Sequence, residues 1–321
     1  MKRREFIAGL ASLAAWPRAL RAQSARRTRI GLLDTSARVG NANFSAFQQA
    51  LQALGYVEGQ NLDFEYRSAD GRNDSFAELA NDLARRDVDL IVTRGTPAAL
   101  AARAATTTIP VVMAAAGDPE AIVRGARPAA NLTGFGANLA GAERARVETL
   151  KAMLPNVARI AALMNLSNPS RQAEWNAIAA AAQSLGIAPQ VLDIRTAADI
   201  GRALDAAASA QADAVVIGSD TVMQTNQNLV VTLAAAQRMP AMYTFRDFVD
   251  AGGLVSYGVS LPDLYRRAAV YADKILKGAA PRELPVEPPK TAELAVNRKA
   301  AKALGLALPA SLLARADVVI D

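Results

Sequence analysis

The sequence predicts an α/β protein of two lobes, each a doubly wound parallel sheet, joined by a multi-strand hinge. Three observations carry this. The chain has 321 residues, about twice a typical domain length, with 51% hydrophobic residues to fill two cores. Short apolar runs alternate with longer Ala- and Leu-rich segments of helical period, the pattern of β-α-β units around parallel sheets. The strand-then-helix order then restarts after residue 136, beyond a segment with glycines at 134 and 136.

In chain order, the first unit is a strand over 29–34 and a helix over 43–54, stopped by Gly55 just past its end. A strand over 61–66, a helix over 75–86 with Leu79 and Leu83 on one face, and a strand over 89–93 follow. A helix over 97–105, a strand over 110–115 and a short helix over 120–125 complete the first set. The second set has helices over 142–153, 169–185, 198–208 and 226–238, alternating with strands over 159–164, 190–194, 213–217 and 241–244. Past Gly252 and Gly253 come a strand over 254–259 and an amphipathic helix over 263–276. Pro281, Pro285, Pro288 and Pro289 then mark a connector, and a strand over 293–296 with helices over 298–304 and 311–314 supplements one lobe. The expected division is 26–136 with 254–282 as the first lobe and 137–253 with 283–321 as the second. A chain that crosses between lobes more than once makes a hinge.

Residues 1–25 read as an export signal: Lys2, Arg3 and Arg4, an apolar stretch from Ala8 to Trp16, and small residues near 22–25. Paired arginines ahead of Phe6 and Ile7 resemble a twin-arginine signal, with Lys2 where that pattern usually has Ser or Thr. The apolar stretch is shorter than the roughly 20 residues a spanning helix needs, so no stable membrane insertion is expected. With no cysteine there is no lipid anchor, and the expected product diffuses freely in a Gram-negative periplasm, as a monomer.

Composition excludes much chemistry. Without cysteine or histidine the chain has no disulfides, thiolate or imidazole metal sites, cysteine nucleophiles or Ser-His-Asp triads. No GxxxxGK[ST], GxGxxG or GxSxG pattern is present, and no cofactor is expected. The net charge of +6 sits mostly in residues 1–25, which leaves a nearly neutral body and no basic run with interleaved aromatics. Nucleic acid is therefore not an expected partner.

Ligands of open α/β sheets bind beyond the carboxyl ends of strands, so residues just after each apolar run are the candidates. There the chain places Gly95, Thr96 and Pro97, then Gly117, Asp118 and Pro119, then Asn165, Ser167, Asn168 and Pro169. A small polar residue before a helix-opening proline is good capping chemistry, and capping alone is one reading. The other is that these helix N-termini face one crevice and favour an anionic group such as a carboxylate, with Thr96 the first contact. Asp220, after the strand over 213–217, is either a cap or the partner of a ligand ammonium. Tyr243, Phe245 and Tyr257 are core residues or aromatic walls of a cleft.

Several segments carry a resemblance: 54–61 (LGYVEGQN), 95–100 (GTPAAL), 105–110 (ATTTIP), 117–119 (GDP), 131–134 (NLTG) and 245–248 (FRDF). Together and in order they resemble the ABC-transporter substrate-binding proteins of the tryptophan-binding-protein-like family. The resemblance implies a type I periplasmic-binding-protein fold with three crossovers and a ligand cleft between the lobes. It places Ser36, Thr96 and Asp118 on the first lobe's cleft edge, and Asn168, Asp220 and Tyr243 on the second's. It further implies an amino acid as leading ligand, aromatic or apolar, handed to the membrane permease of an ABC importer, with no catalysis. Two other classes stay open: a periplasmic sensor subunit for a receptor, and an exported enzyme working with carboxylates. At 33–35 and 113–116 the sequence departs from commoner members, which leaves the ligand open.

Overall fold

A computed structural model describes residues 27–125 and 131–321, and the expected export signal at 1–25 lies outside the described residues. The first apolar runs form β1 (Thr28–Asp34), β2 (Leu62–Ser68), β3 (Leu90–Arg94) and β4 (Val111–Ala116), and the glycine segment before residue 136, where no strand was expected, forms β5 (Leu132–Gly136); all are parallel. Between them run α1 (Ala42–Ala53), α2 (Phe76–Arg85), α3 (Thr96–Ala105) and α4 (Pro119–Arg124). Every residue of β3 and β4 is buried, because helices cover both sheet faces; that is why these strands read as unbroken apolar runs. On one face Ile30, Leu32 and Val92 pack with Phe44 and Phe47 of α1. On the other Leu33, Ile91 and Met113 meet Phe76, Leu83 and Ala98.

The second lobe repeats the plan with α5 (Ala142–Met153), β6 (Arg159–Met164), α6 (Pro169–Ser184), β7 (Ala188–Asp193), α7 (Ala197–Ser209) and β8 (Ala214–Ile217). It continues through α8 (Thr221–Thr225), α9 (Gln227–Ala236), β9 (Ala241–Tyr243), α10 (Asp247–Asp250) and β10 (Val255–Gly258). Ile160, Ala162 and Met164 of β6 face one core and Ala161 and Leu163 face the other, as strand alternation requires.

The chain then returns to the first lobe. α11 (Leu261–Leu276) lies on α1 and β4 with Tyr265 and Ala268 buried, and β11 (Val286–Glu287) pairs with β5. β12 (Glu293–Asn297), α12 (Arg298–Leu304), α13 (Ala310–Arg315) and β13 (Val318–Ile320) belong to the second. The sheets are ordered β11-β5-β4-β3-β1-β2 and β13-β12-β10-β9-β8-β6-β7. The two-lobed α/β class is as expected, with one correction: the second sheet is mixed, since β12 runs antiparallel to β10. Its cause is the route, for β12 re-enters from the first lobe and so meets the sheet from the opposite end. The crossings also fall elsewhere than expected. Residues 254–259, read as part of the first lobe, hold β10, which pairs with β9 and β12 in the second sheet. β11, read as part of the second lobe, extends the first sheet. Among the described residues no helix is long and apolar enough to cross a membrane.

Candidate functional site

The carboxyl ends of β1, β3 and β4 face those of β6, β8 and β9, and the two lobes touch directly across this gap. Thr96 at the start of α3 shares a 2.9 Å hydrogen bond with Ser170 of α6. The Thr35 hydroxyl donates to Gln224 Oε1 at 3.3 Å, while the Thr225 hydroxyl donates to the Thr35 carbonyl at 2.8 Å. Asn73 Nδ2 reaches Asp220 at 3.3 Å and Asn43 Nδ2 reaches Asp247 at 3.4 Å. These bonds all run between residues of opposite lobes.

Between them is a cavity of about 40 Å³. Five predicted residues line it: Thr96, Pro97, Asn168, Asp220 and Phe245. Larger openings flank it, one of about 530 Å³ beside Ser36, Asn41 and Asp247, the other of about 570 Å³ beside Asp118 and the crossover residues Gly136 and Pro289. Ser36 thus sits at the edge, its hydroxyl 3.4 Å from Arg94 Nη1. Asp118 is exposed and caps α4, accepting from the Ala121 N–H at 2.8 Å.

Tyr243 and Tyr257 do not reach the cleft. Tyr243 is buried in the second lobe, stacked on Phe248 at 4.9 Å, and burial pushes its hydroxyl pKa up. Its ring borders an apolar hollow of about 300 Å³ with Met239, Leu254 and Leu304. Tyr257 is half-buried against that lobe's core, and its carbonyl accepts from Arg146 Nε at 2.8 Å. The reading of aromatic walls holds for Phe245 alone.

Capping and site-lining coincide in part. Asn168 caps α6 through the Ser170 N–H and also donates to Asp220 at 3.0 Å. Thr96 is not the cap of α3, which is Gly95 at φ +86°; the Thr96 hydroxyl instead accepts from the Gly117 N–H at 3.0 Å. Asp220 takes the first of its two expected readings, the cap: it is the N-cap of α8, its side chain accepting from the Val222 N–H. Its Oδ1 accepts from Asn165 Nδ2 and the Val222 N–H, its Oδ2 from Asn168 and Asn73, which fills all four acceptor positions of a carboxylate.

Sequence reasoning missed the charged residues behind the cavity. Arg94 ends β3, buried, 3.4 Å from Asp34 and 4.0 Å from Asp247. Burial works against its charge, but Asp34, Tyr265 and Asp247 outweigh that and raise its pKa. The Tyr265 hydroxyl, pushed up by burial and then by the charge of Asp34, donates to Asp34 Oδ2 at 2.6 Å. On the other lobe Arg171 pairs with Glu174 and donates to Ser219 at 2.7 Å, while Arg146 reaches Glu174 at 3.1 Å. An arginine closing an apolar strand just before Gly95, and an Arg171/Glu174 pair three apart on a helix, were the available signals. Among the described residues no cluster of acidic groups is arranged to hold a metal ion.

The family model for ABC transporter substrate binding proteins matches residues 38–320. The chain belongs to that family. This substrate-binding protein is 26% identical to a conserved domain protein of Vibrio cholerae, with a TM-score of 0.83 over 92% of this chain and 100% of the other. It is equally 26% identical to an ABC domain from Streptococcus pneumonia solved in complex with L-Trp, with a TM-score of 0.82 over 92% and 100%. A tyrosine-binding protein of Clostridioides difficile is 23% identical over 81% of this chain and 75% of that one. The resemblance carried by the motifs is therefore that of a tryptophan-binding-like, type I substrate-binding protein, and its work is binding, not catalysis.

Proposed function

We propose that the protein captures a small carboxylate-bearing molecule, an amino acid with an aromatic or apolar side chain being the leading class, by closing its lobes around it. The closed form then docks on the permease of an ABC importer. The observation that carries this reading is the cleft between the lobes, where a small gap and the two larger openings beside it are all lined by residues of both lobes, with bonds such as Thr96 to Ser170 across it. A ligand touching both walls binds the closed form better than the open one and shifts the population by that difference. Relatives described with L-Trp and as tyrosine-binding support the amino acid class. On the same reading residues 1–25 direct export, the protein acts in the periplasm as a monomer, and the chain divides where it crosses between the sheets.

The test is mass spectrometry of whatever small molecule the purified protein releases on denaturation, followed by thermal melting of refolded protein with that molecule added. Recovery of an unaltered carboxylate that raises the melting temperature is the expected result. Recovery of a chemically changed compound, or no stabilisation by any amino acid or organic acid, would contradict it.

A further inference from the structure

The hollow beside Tyr243 lies in the second lobe alone, and none of its lining residues borders the gap between the lobes or the openings beside that gap. Its volume of about 300 Å³ is at the lower end of cavities that hold small molecules. Val231 and Ala234 of α9, Met239, Leu254 and Leu304 of α12 give it apolar walls.

Three polar side chains border it, and each offers a donor. Tyr243 and Asn297 are almost wholly buried, 1% and 5% exposed. Asn297 Oδ1 is taken by the Ala300 N–H at 2.9 Å, whereas Asn297 Nδ2 and the Tyr243 hydroxyl have no hydrogen-bond partner among the described residues. Neither atom is sealed off: unlike the fully enclosed orphans elsewhere in the molecule, both keep accessible surface, and the hollow is the opening that both residues border. Burial raises the Tyr243 pKa, so the hydroxyl keeps its proton to donate. Lys299 of α12 stands at the rim, exposed and in no ion pair among the described residues. No acidic side chain lines the hollow, and its one side-chain carbonyl is already bonded. Donors and a cation at one end of an apolar space match a carboxylate with an apolar body, and leave an ammonium without an acceptor.

We infer that this hollow is a second ligand site, for a compact monocarboxylate whose apolar end packs between α9 and α12 while its carboxylate faces Asn297, Tyr243 and Lys299. Its ligand is a different molecule from the one captured in the cleft, and neither reading depends on the other.

Titration of the protein with 4-fluorobenzoate and, separately, 4-fluorobenzylamine, followed by fluorine NMR, tests this. The acid is expected to bind saturably and the amine at least tenfold more weakly. Ala303→Phe, which fills the hollow from an exposed position on α12, is expected to weaken the acid at least tenfold. Tyr243→Phe should weaken it about fivefold, the value of one hydrogen bond, and Lys299→Gln about threefold, as an exposed charge does. Should Tyr243→Phe fail to fold, the exposed positions 299 and 303 decide. Acid affinity kept within tenfold in Ala303→Phe places the probe elsewhere, the cleft included, and overturns the inference while cleft binding stands. An amine within tenfold of the acid, affinity lowered in neither Tyr243→Phe nor Lys299→Gln, or no binding of the acid also overturns it.

Discussion

Thr96 shows what a single hydroxyl does at this interface. It accepts from Gly117 within its own lobe and bridges to Ser170 on the other, so it joins local geometry to the contact between the lobes. Thr96→Val and Ser170→Ala are each expected to weaken ligand binding by about 1 kcal/mol, the net value of one hydrogen bond. Because both remove the same bond, the double variant should lose little more than either single one, which a double-mutant cycle by calorimetry checks. Additive losses would show that the two hydroxyls act separately. Thr96, Pro97, Asn168, Asp220 and Phe245 were legible because strand ends point at a cleft in this class of fold, and each follows an apolar run closely. Arg94 and Arg171 were passed over: the partner of Arg94 is a carboxylate remote in sequence, Asp34, and the Arg171/Glu174 pair three apart on a helix reads like any exposed ion pair. Tyr243 was misplaced for a simpler reason. It ends a strand of three residues, too short for alternation to say which face it takes.

At the scale of elements, the start of α7 carries its own pH dependence. The Asp199 carboxylate accepts from the Thr196 N–H at 2.8 Å, from the Thr196 hydroxyl at 3.0 Å and from the Arg195 N–H at 3.0 Å, with Arg202 alongside. Those bonds, the Thr196 N–H foremost, pull its pKa from 3.8 to about 2. The folded value lies below the unfolded one, so the stabilisation is complete above about pH 4 and is lost as pH falls through about 2. Asp199→Ala should cost about 1 kcal/mol in urea unfolding at pH 7, with the gap to wild type narrowing from pH 4 downwards. A gap that stays constant with pH would disprove the cap. In β5, Gly134 sits at φ +138°, and a Cβ there would fall 2.2 Å from the Met113 carbonyl oxygen of β4. Gly134→Ala should therefore lower stability by about 3 kcal/mol, read as a fall in the midpoint of thermal or urea unfolding. Most elements were legible because both sheet faces are buried and the helices are long. α8, α10 and β13 were not, being five, four and three residues long, below one clear period of either pattern. The antiparallel setting of β12 was hidden as well, because strand direction depends on which lobe the chain last visited.

For the whole molecule, three crossings between the lobes, after β5, β10 and β11, hold two sheets so that their carboxyl ends face each other. On the proposed reading, closure rests on bonds that involve small side chains such as Thr35, Asn73 and Ser170, each worth about 1 kcal/mol, so a ligand of ordinary affinity is enough to bias it. The measurement that tests this most directly is a crystal structure of the protein with the molecule it releases on denaturation. The account predicts that molecule between the lobes, in contact with residues of both, with its apolar part against Phe245. A ligand held by one lobe alone, or lodged in the apolar hollow beside Tyr243, would contradict it.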